Sequence, residues 1–206
     1  MDLAVAATAF ALIFPAELPD KTFVATLVLA TRYPGRWVWV GVAAAFAVQT
    51  TIAVTAGGLL SLLPERVVLV FTATLFTVGS VILLRSAGHA DEEVAEEERE
   101  YAGRTTTRTA TGLRAAAISF GVLFAAEWGD LSQILTAGLA ARYADPVSVF
   151  VGAWTALACV AAIGVLAGRT LLRRIHPGLV RRVAGSLFAL LALLTWLAAA
   201  GVETPL

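Results

Sequence analysis

The sequence predicts an all-α polytopic membrane protein, with six transmembrane helices arranged as two inverted three-helix repeats. Three observations carry that expectation. Of its 206 residues, 59% are hydrophobic and only 15% charged, and mean hydropathy is +0.82. A soluble domain carries charge on about 25% of its residues, so this chain could not cover a globular surface in water. Six apolar stretches are each long enough to cross a bilayer, and the chain matches itself at a fixed offset.

A bilayer core takes about 20 mostly apolar residues per helix. The first span is Leu3–Thr31. Trp37–Leu63 and Val67–Leu84 follow, with no Asp, Glu, Lys or Arg in either. A hydrophilic segment at 86–112 separates them from the fourth span, Ala115–Ala141. Pro146–Gly168 and Val183–Val202, again free of charge, complete the set. Residues 1–85 form the first three-helix repeat, 86–112 an acidic connector and 113–206 the second repeat. The N-terminus has Asp2 and no basic region, so the first span is expected to stay in place rather than be cleaved as a signal.

The 15 Lys+Arg and 15 Asp+Glu cancel, and no net field points to nucleic acid. One cysteine, Cys159, rules out an internal disulfide. Orientation follows from the arginines. Loops after spans one, three and five hold Arg32, Arg36, Arg85, Arg99, Arg104, Arg108, Arg114, Arg169, Arg173, Arg174, Arg181 and Arg182, against only Arg66 and Arg142 opposite. The expectation is a multi-pass protein of a bacterial plasma membrane, both termini outside and the acidic loop cytoplasmic.

At an offset of 110, Phe10–Tyr33 falls on Phe120–Tyr143 with 10 of 24 positions identical, among them Glu17/Glu127, Asp20/Asp130, Thr26/Thr136 and Arg32/Arg142. With one added residue the match continues into Val38–Gly41 against Val149–Gly152. Low complexity would align Ala and Leu, but not two carboxylates and an Arg-Tyr pair. Each copy holds three spans, an odd number, so the copies enter the membrane from opposite sides. Secondary transporters use this arrangement, with the substrate site near the midplane.

Glu17 lies fourteen residues from each end of its span. Asp20 and Asp130 follow the glutamates at i+3, on one helical face if the backbone is helical there. A charge at the bilayer centre costs about 2.5–3.5 kcal/mol on insertion scales. Four acids and one base, Lys21, cannot all be neutralised by pairing. Pro15 and Pro19 interrupt the first copy and Gly129 the second. Freed carbonyls plus carboxylates make an all-oxygen environment suited to hard cations such as Ca²⁺ or Mn²⁺. Desolvated, crowded carboxylates hold protons until a cation displaces them, the minimal chemistry of an antiporter. Lys21, the only lysine among fourteen arginines, reads as a compact counter-charge or as a simple partner of Asp20.

The hexapeptides Glu17-Leu-Pro-Asp-Lys-Thr22 and Glu127-Trp-Gly-Asp-Leu-Ser132 resemble the paired E-x-G-D-[KR]-[ST] signatures of the transmembrane protein 165 (Gdt) family. The resemblance covers the whole chain. It implies a cation/proton exchanger moving Mn²⁺ or Ca²⁺, with Glu17, Asp20, Glu127 and Asp130 as cation ligands and Thr22 and Ser132 as hydroxyl neighbours. Pro19 replaces the first motif's Gly, and Leu131 the second motif's basic residue. The latter leaves the ionised site at a formal charge of −3 rather than −2.

Gln133 offers a further carbonyl ligand. Gln49, Thr50 and Thr51 form a polar cluster in span two, explained as well by interhelical hydrogen bonds as by cation contact. Asp91–Glu100, with seven acids and one Arg, reads as a solvated connector or a cation-concentrating element. The arginines from Arg169 to Arg182 anchor topology and meet anionic lipid. Trp37, Trp39, Trp154 and Trp196 fit interfacial belts, and Trp128 lies at depth. The composition is compatible with a homo-oligomer. No cofactor is expected; Mn²⁺ or Ca²⁺ enters as transported substrate and the chain is not an enzyme. The alternatives are a passive divalent-cation channel and an intramembrane aspartyl protease. The protease leaves the duplicated glutamates, the lysine and the inverted repeat unexplained.

Overall fold

The computed structural model describes residues 1–18, 21–90, 92, 93, 95, 96, 99, 110–172 and 177–202. It is all-helical, with no strand among these residues. The described residues include eight helices with defined bounds: α1 (Leu3–Glu17), α2 (Lys21–Arg32), α3 (Gly35–Leu60), α4 (Glu65–Ser86), α5 (Leu113–Ala126), α6 (Leu131–Tyr143), α7 (Pro146–Leu172) and α8 (Pro177–Ala199). The described connector residues at 90–99 are helical as well. Ala- and Leu-rich segments favour helix, and lipid demands it, because every backbone group must find its partner inside the segment. Punctuation is local. The Asp2 carboxylate accepts from the Ala4 and Val5 amides to cap α1, while Pro34 and Pro64 stand at the N-caps of α3 and α4. Ala144, left-handed at φ 49°, ends α6.

Four helices, α3, α4, α7 and α8, contain segments long and apolar enough to cross a membrane. Counting α1 and α2 as one span broken by a 69° bend makes five; α5 is apolar but shorter. The two stretches expected as continuous spans are therefore each divided, after Glu17 and after Ala126. Pro15 does not make the first division. It lies inside α1, which continues to Glu17, because a proline in the last turn forfeits only its own amide bond.

Helices α3 and α7 form the centre and pack on each other. α3 lies along α5 and α6, α7 lies along α1 and α2, and α4 pairs with α8 at the side. Exchanging the two copies maps the α1–α7 contact onto α5–α3 and α2–α7 onto α6–α3. The match extends to atoms. A Cβ added at Gly41 would lie 2.1 Å from the Ala116 carbonyl oxygen, and one at Gly152 2.1 Å from that of Ala6. Phe10 and Phe14 stack at 5.2 Å and 11°, Phe120 and Phe124 at 5.4 Å and 9°.

Two tryptophans assigned to the interfacial belt do other work. The Trp39 indole N–H donates to the Ala158 carbonyl and that of Trp154 to the Ala43 carbonyl, each at 3.0 Å, tying α3 to α7. Arg181 likewise does not face lipid. It is 5% exposed and ion-paired with Glu93 of the connector. A buried arginine needs such a partner. Glu92, Glu96 and Arg99 are exposed, as a solvated connector requires.

Candidate metal centre

The centre forms where the two broken spans come together. Glu17 ends α1 and is 2% exposed; Glu127 follows α5 and is 3% exposed. With half-buried Asp130 they present carboxylate oxygens that all lie within 4.8 Å of one another. Two like charges at that separation repel by about 3.5 kcal/mol at an effective dielectric of about 20. A cation among these oxygens would offset that repulsion. Of the four predicted ligands, three are brought together. Asp20, with Pro19 and the Lys21 side chain, lies outside the described residues, and so does the proposed Asp20–Lys21 pairing.

The expected i+3 helical pairing of Glu127 with Asp130 is not what is observed. The backbone leaves the helix at Glu127 (φ −98°, ψ 12°), turns through Gly129 at φ 76° and is extended at Asp130. Positive φ is costly for any residue with a Cβ, which accounts for glycine at this point. The turn brings Asp130 to the N-cap of α6. There its Oδ1 accepts from the Gln133 amide at 3.1 Å and the Ser132 hydroxyl at 2.8 Å. Such bonds hold a carboxylate in one orientation.

Ser132 is thus the neighbour the second motif predicts. Thr22 is fully buried at the start of α2, and its hydroxyl has no hydrogen-bond partner among the described residues. Gln133 turns its Oε1 to the Gly129 amide at 2.9 Å, while Nε2 is buried without a partner among the described residues. In this arrangement its oxygen braces the turn. Gln49, 2% exposed, donates Nε2 to the Phe124 carbonyl at 3.1 Å, one turn before Glu127. It braces the end of α5.

Thr50, which the sequence places in a polar cluster open to hydrogen bonding or cation contact, is 2% exposed with an unpartnered hydroxyl among the described residues. Its seven-residue spacing to Gly57 puts the two on one face of α3. Trp128 is 59% exposed and tilts over Phe124 at 5.0 Å. Gly129 beside it is exposed as well.

A family model described as the divalent cation/proton antiporter GDT1 matches residues 5–91 and 115–203. The GDT1-like protein sll0615 of Synechocystis sp. is 34% identical over 192 residues, covering 90% of this chain and 93% of that protein. GDT1-like protein 1, chloroplastic, of Oryza sativa subsp. indica is 33% identical over 207 residues, and Protein PAM71, chloroplastic, of Arabidopsis thaliana 32% over 208. The matched regions cover 92% of this chain in both cases, and 60% and 55% of the plant proteins. No solved structure matches the chain. Membrane-length apolar helices, a cluster of three carboxylates and matches on both sides of the connector agree: the chain belongs to the GDT1 family of divalent cation/proton antiporters, transporters rather than enzymes.

Proposed function

We propose that this chain exchanges a divalent cation for protons across a bacterial plasma membrane, with Mn²⁺ the principal cargo and Ca²⁺ the second. One observation carries the reading. Glu17 from one copy and Glu127 and Asp130 from the other converge within 4.8 Å, an all-oxygen cluster for which hard cations and protons compete. Asp20 completes the acidic set by its repeat equivalence to Asp130.

The reading takes α1–α2 and α5–α6 as two broken spans which, with the four long helices, make six crossings in two inverted repeats. The reciprocal Gly41–Ala116 and Gly152–Ala6 contacts support that symmetry. The arginine count places both termini outside and the connector in the cytoplasm. Rocking of one copy against the other opens the site to each side in turn. An inward proton gradient then drives metal out of the cytoplasm.

The test is reconstitution into proteoliposomes with an entrapped pH dye. Added Mn²⁺ should move protons in the opposite direction with saturable kinetics. Glu17→Gln and Asp130→Asn should each abolish the signal. Metal entry without proton movement would make the protein a channel. Unchanged exchange in both variants would remove the carboxylate cluster from the mechanism.

A further inference from the structure

Six threonines that are not buried satisfy their hydroxyls by donating to the carbonyl four residues earlier, and exposed Thr31 donates to that of Val28, three earlier. The six are Thr8, Thr51, Thr55, Thr74, Thr77 and Thr155, at 2.5–2.8 Å. Thr50 does neither. It adjoins Thr51 on the same helix and has the Phe46 carbonyl at the same helical spacing, yet its hydroxyl is enclosed with no partner among the described residues. Leaving a buried hydroxyl unsatisfied costs about 1–3 kcal/mol, and the usual remedy lies within reach of a rotamer change. Buried Thr22, Thr26 and Thr72 share that condition, so what sets Thr50 apart is its place on α3.

What it faces follows from the register of α3 against the second broken span. Gly41 touches Ala116, Gln49 bonds to Phe124, and a Cβ at Gly57 would lie 2.2 Å from the Ala137 carbonyl oxygen. α3 therefore runs in the same direction as α5 and then α6, in contact on both sides of the Glu127–Asp130 turn. Thr50 lies seven residues before Gly57 on the same face, about 10.5 Å back along the helix. Seven residues before Ala137 stands Asp130. Among α3 residues 50–56, those buried are Thr50, Ala53 and Val54, and of the three only Thr50 carries a polar side chain. Its equivalent in the second copy is Ala161, and that of Gln49 is Val160, both fully buried. Only the first copy carries a hydroxyl at this position.

Resting on the antiport reading, we propose that Thr50 is a neutral oxygen ligand of the transported divalent cation, and that Gln49, by bracing α5, positions the α3 wall that presents it. Three or four carboxylates supply charge, but a hard cation takes six to eight oxygens. Neutral oxygens fill the remainder without adding repulsion. Because Mn²⁺ and Ca²⁺ differ in size and in the number of ligands they take, such an oxygen also bears on the choice between them.

The experiment measures half-saturation for Mn²⁺ and for Ca²⁺ in proteoliposomes of the full chain. Thr50→Val keeps the shape and deletes the hydroxyl; it should raise half-saturation on the order of tenfold and change the Mn²⁺/Ca²⁺ ratio. Thr50→Ser should restore both, and Thr51→Val, on the lipid face, should behave as wild type. If Thr50→Val does not fold, Thr50→Ala carries the same expectation. Wild-type half-saturation and ratio in either folded variant overturn the assignment. A wild-type protein that moves no protons with metal, or a Glu17→Gln variant that still does, would instead overturn the antiport reading beneath it.

Discussion

At the scale of the residue, the centre depends on how Asp130 is held. Its partners are the Ser132 hydroxyl and the Gln133 amide, both at Oδ1, and the turn behind it is tied by Gly129 to Gln133. Removing the hydroxyl leaves the backbone cap intact while freeing the carboxylate to rotate. Ser132→Ala should therefore weaken Mn²⁺ half-saturation by roughly three- to tenfold, the worth of one ordinary hydrogen bond. The thermal midpoint of the metal-free protein should stay close to wild type. An unaltered half-saturation would show that the amide alone fixes Asp130.

At the scale of the element, two glycines set how closely the copies approach. Any Cβ at Gly41 or Gly152 overlaps a backbone carbonyl of the facing half-helix, and a backbone cannot swing aside as a side chain can. Gly41→Ala and Gly152→Ala should each lower the thermal midpoint in detergent, at a cost of about 1–3 kcal/mol for overpacking. Gly121→Ala on α5 meets nothing within 4 Å and should be neutral or stabilising, since alanine favours helix by up to about 1 kcal/mol. Equal midpoints for Gly41→Ala and Gly121→Ala would contradict the tight α3–α5 crossing.

The same glycines show what the sequence could disclose. Gly41/Gly152 and Glu17/Glu127 are visible as repeat partners, because duplication preserves register and a carboxylate at depth is too costly to be incidental. The breaks were only half legible. Pro15 pointed to an interruption, but a proline near a helix end is absorbed, and the departure at Glu127 is set by Gly129 and the Asp130 cap. Thr50 was harder to find, since Thr50, Thr51 and Thr55 are the same residue type on one helix. Only the facing backbone separates the hydroxyl that turns to the site from those that turn to lipid. A signal was present, though: Ala43, Thr50 and Gly57 recur every seven residues on the small-residue face.

At the scale of the whole molecule, the second copy is fastened at one end to the connector and at the other to the start of the first copy. On one side buried Arg181 of α8 pairs with Glu93, joining the second copy to the connector. On the other, Asp145, just before α7, accepts from the Ser148 hydroxyl and amide and from the Asp2 amide at the start of the chain. Those hydrogen bonds from Ser148, then the one from Asp2 and the charge of the N-terminal amine, hold the Asp145 carboxyl below its ordinary value of 3.8. A carboxylate with a lowered folded value contributes stability that is fully present above its unfolded value and lost as pH falls through the folded one. Acid should thus release the N-terminus of α1 from α7 in the window below pH 3.8. Asp145→Asn should be less stable than wild type at neutral pH and should lose less on acidification, so that the two thermal midpoints converge as pH drops through that window. Parallel curves would assign the clamp to the Asp2–Ser148 hydrogen bond at 2.7 Å, which does not titrate. Because this clamp joins the first copy to the second, its loss should also loosen the fit between them. Exchange by Asp145→Asn should then be slower than that of the wild type at the same neutral pH, measured as initial rate under equal proton gradients.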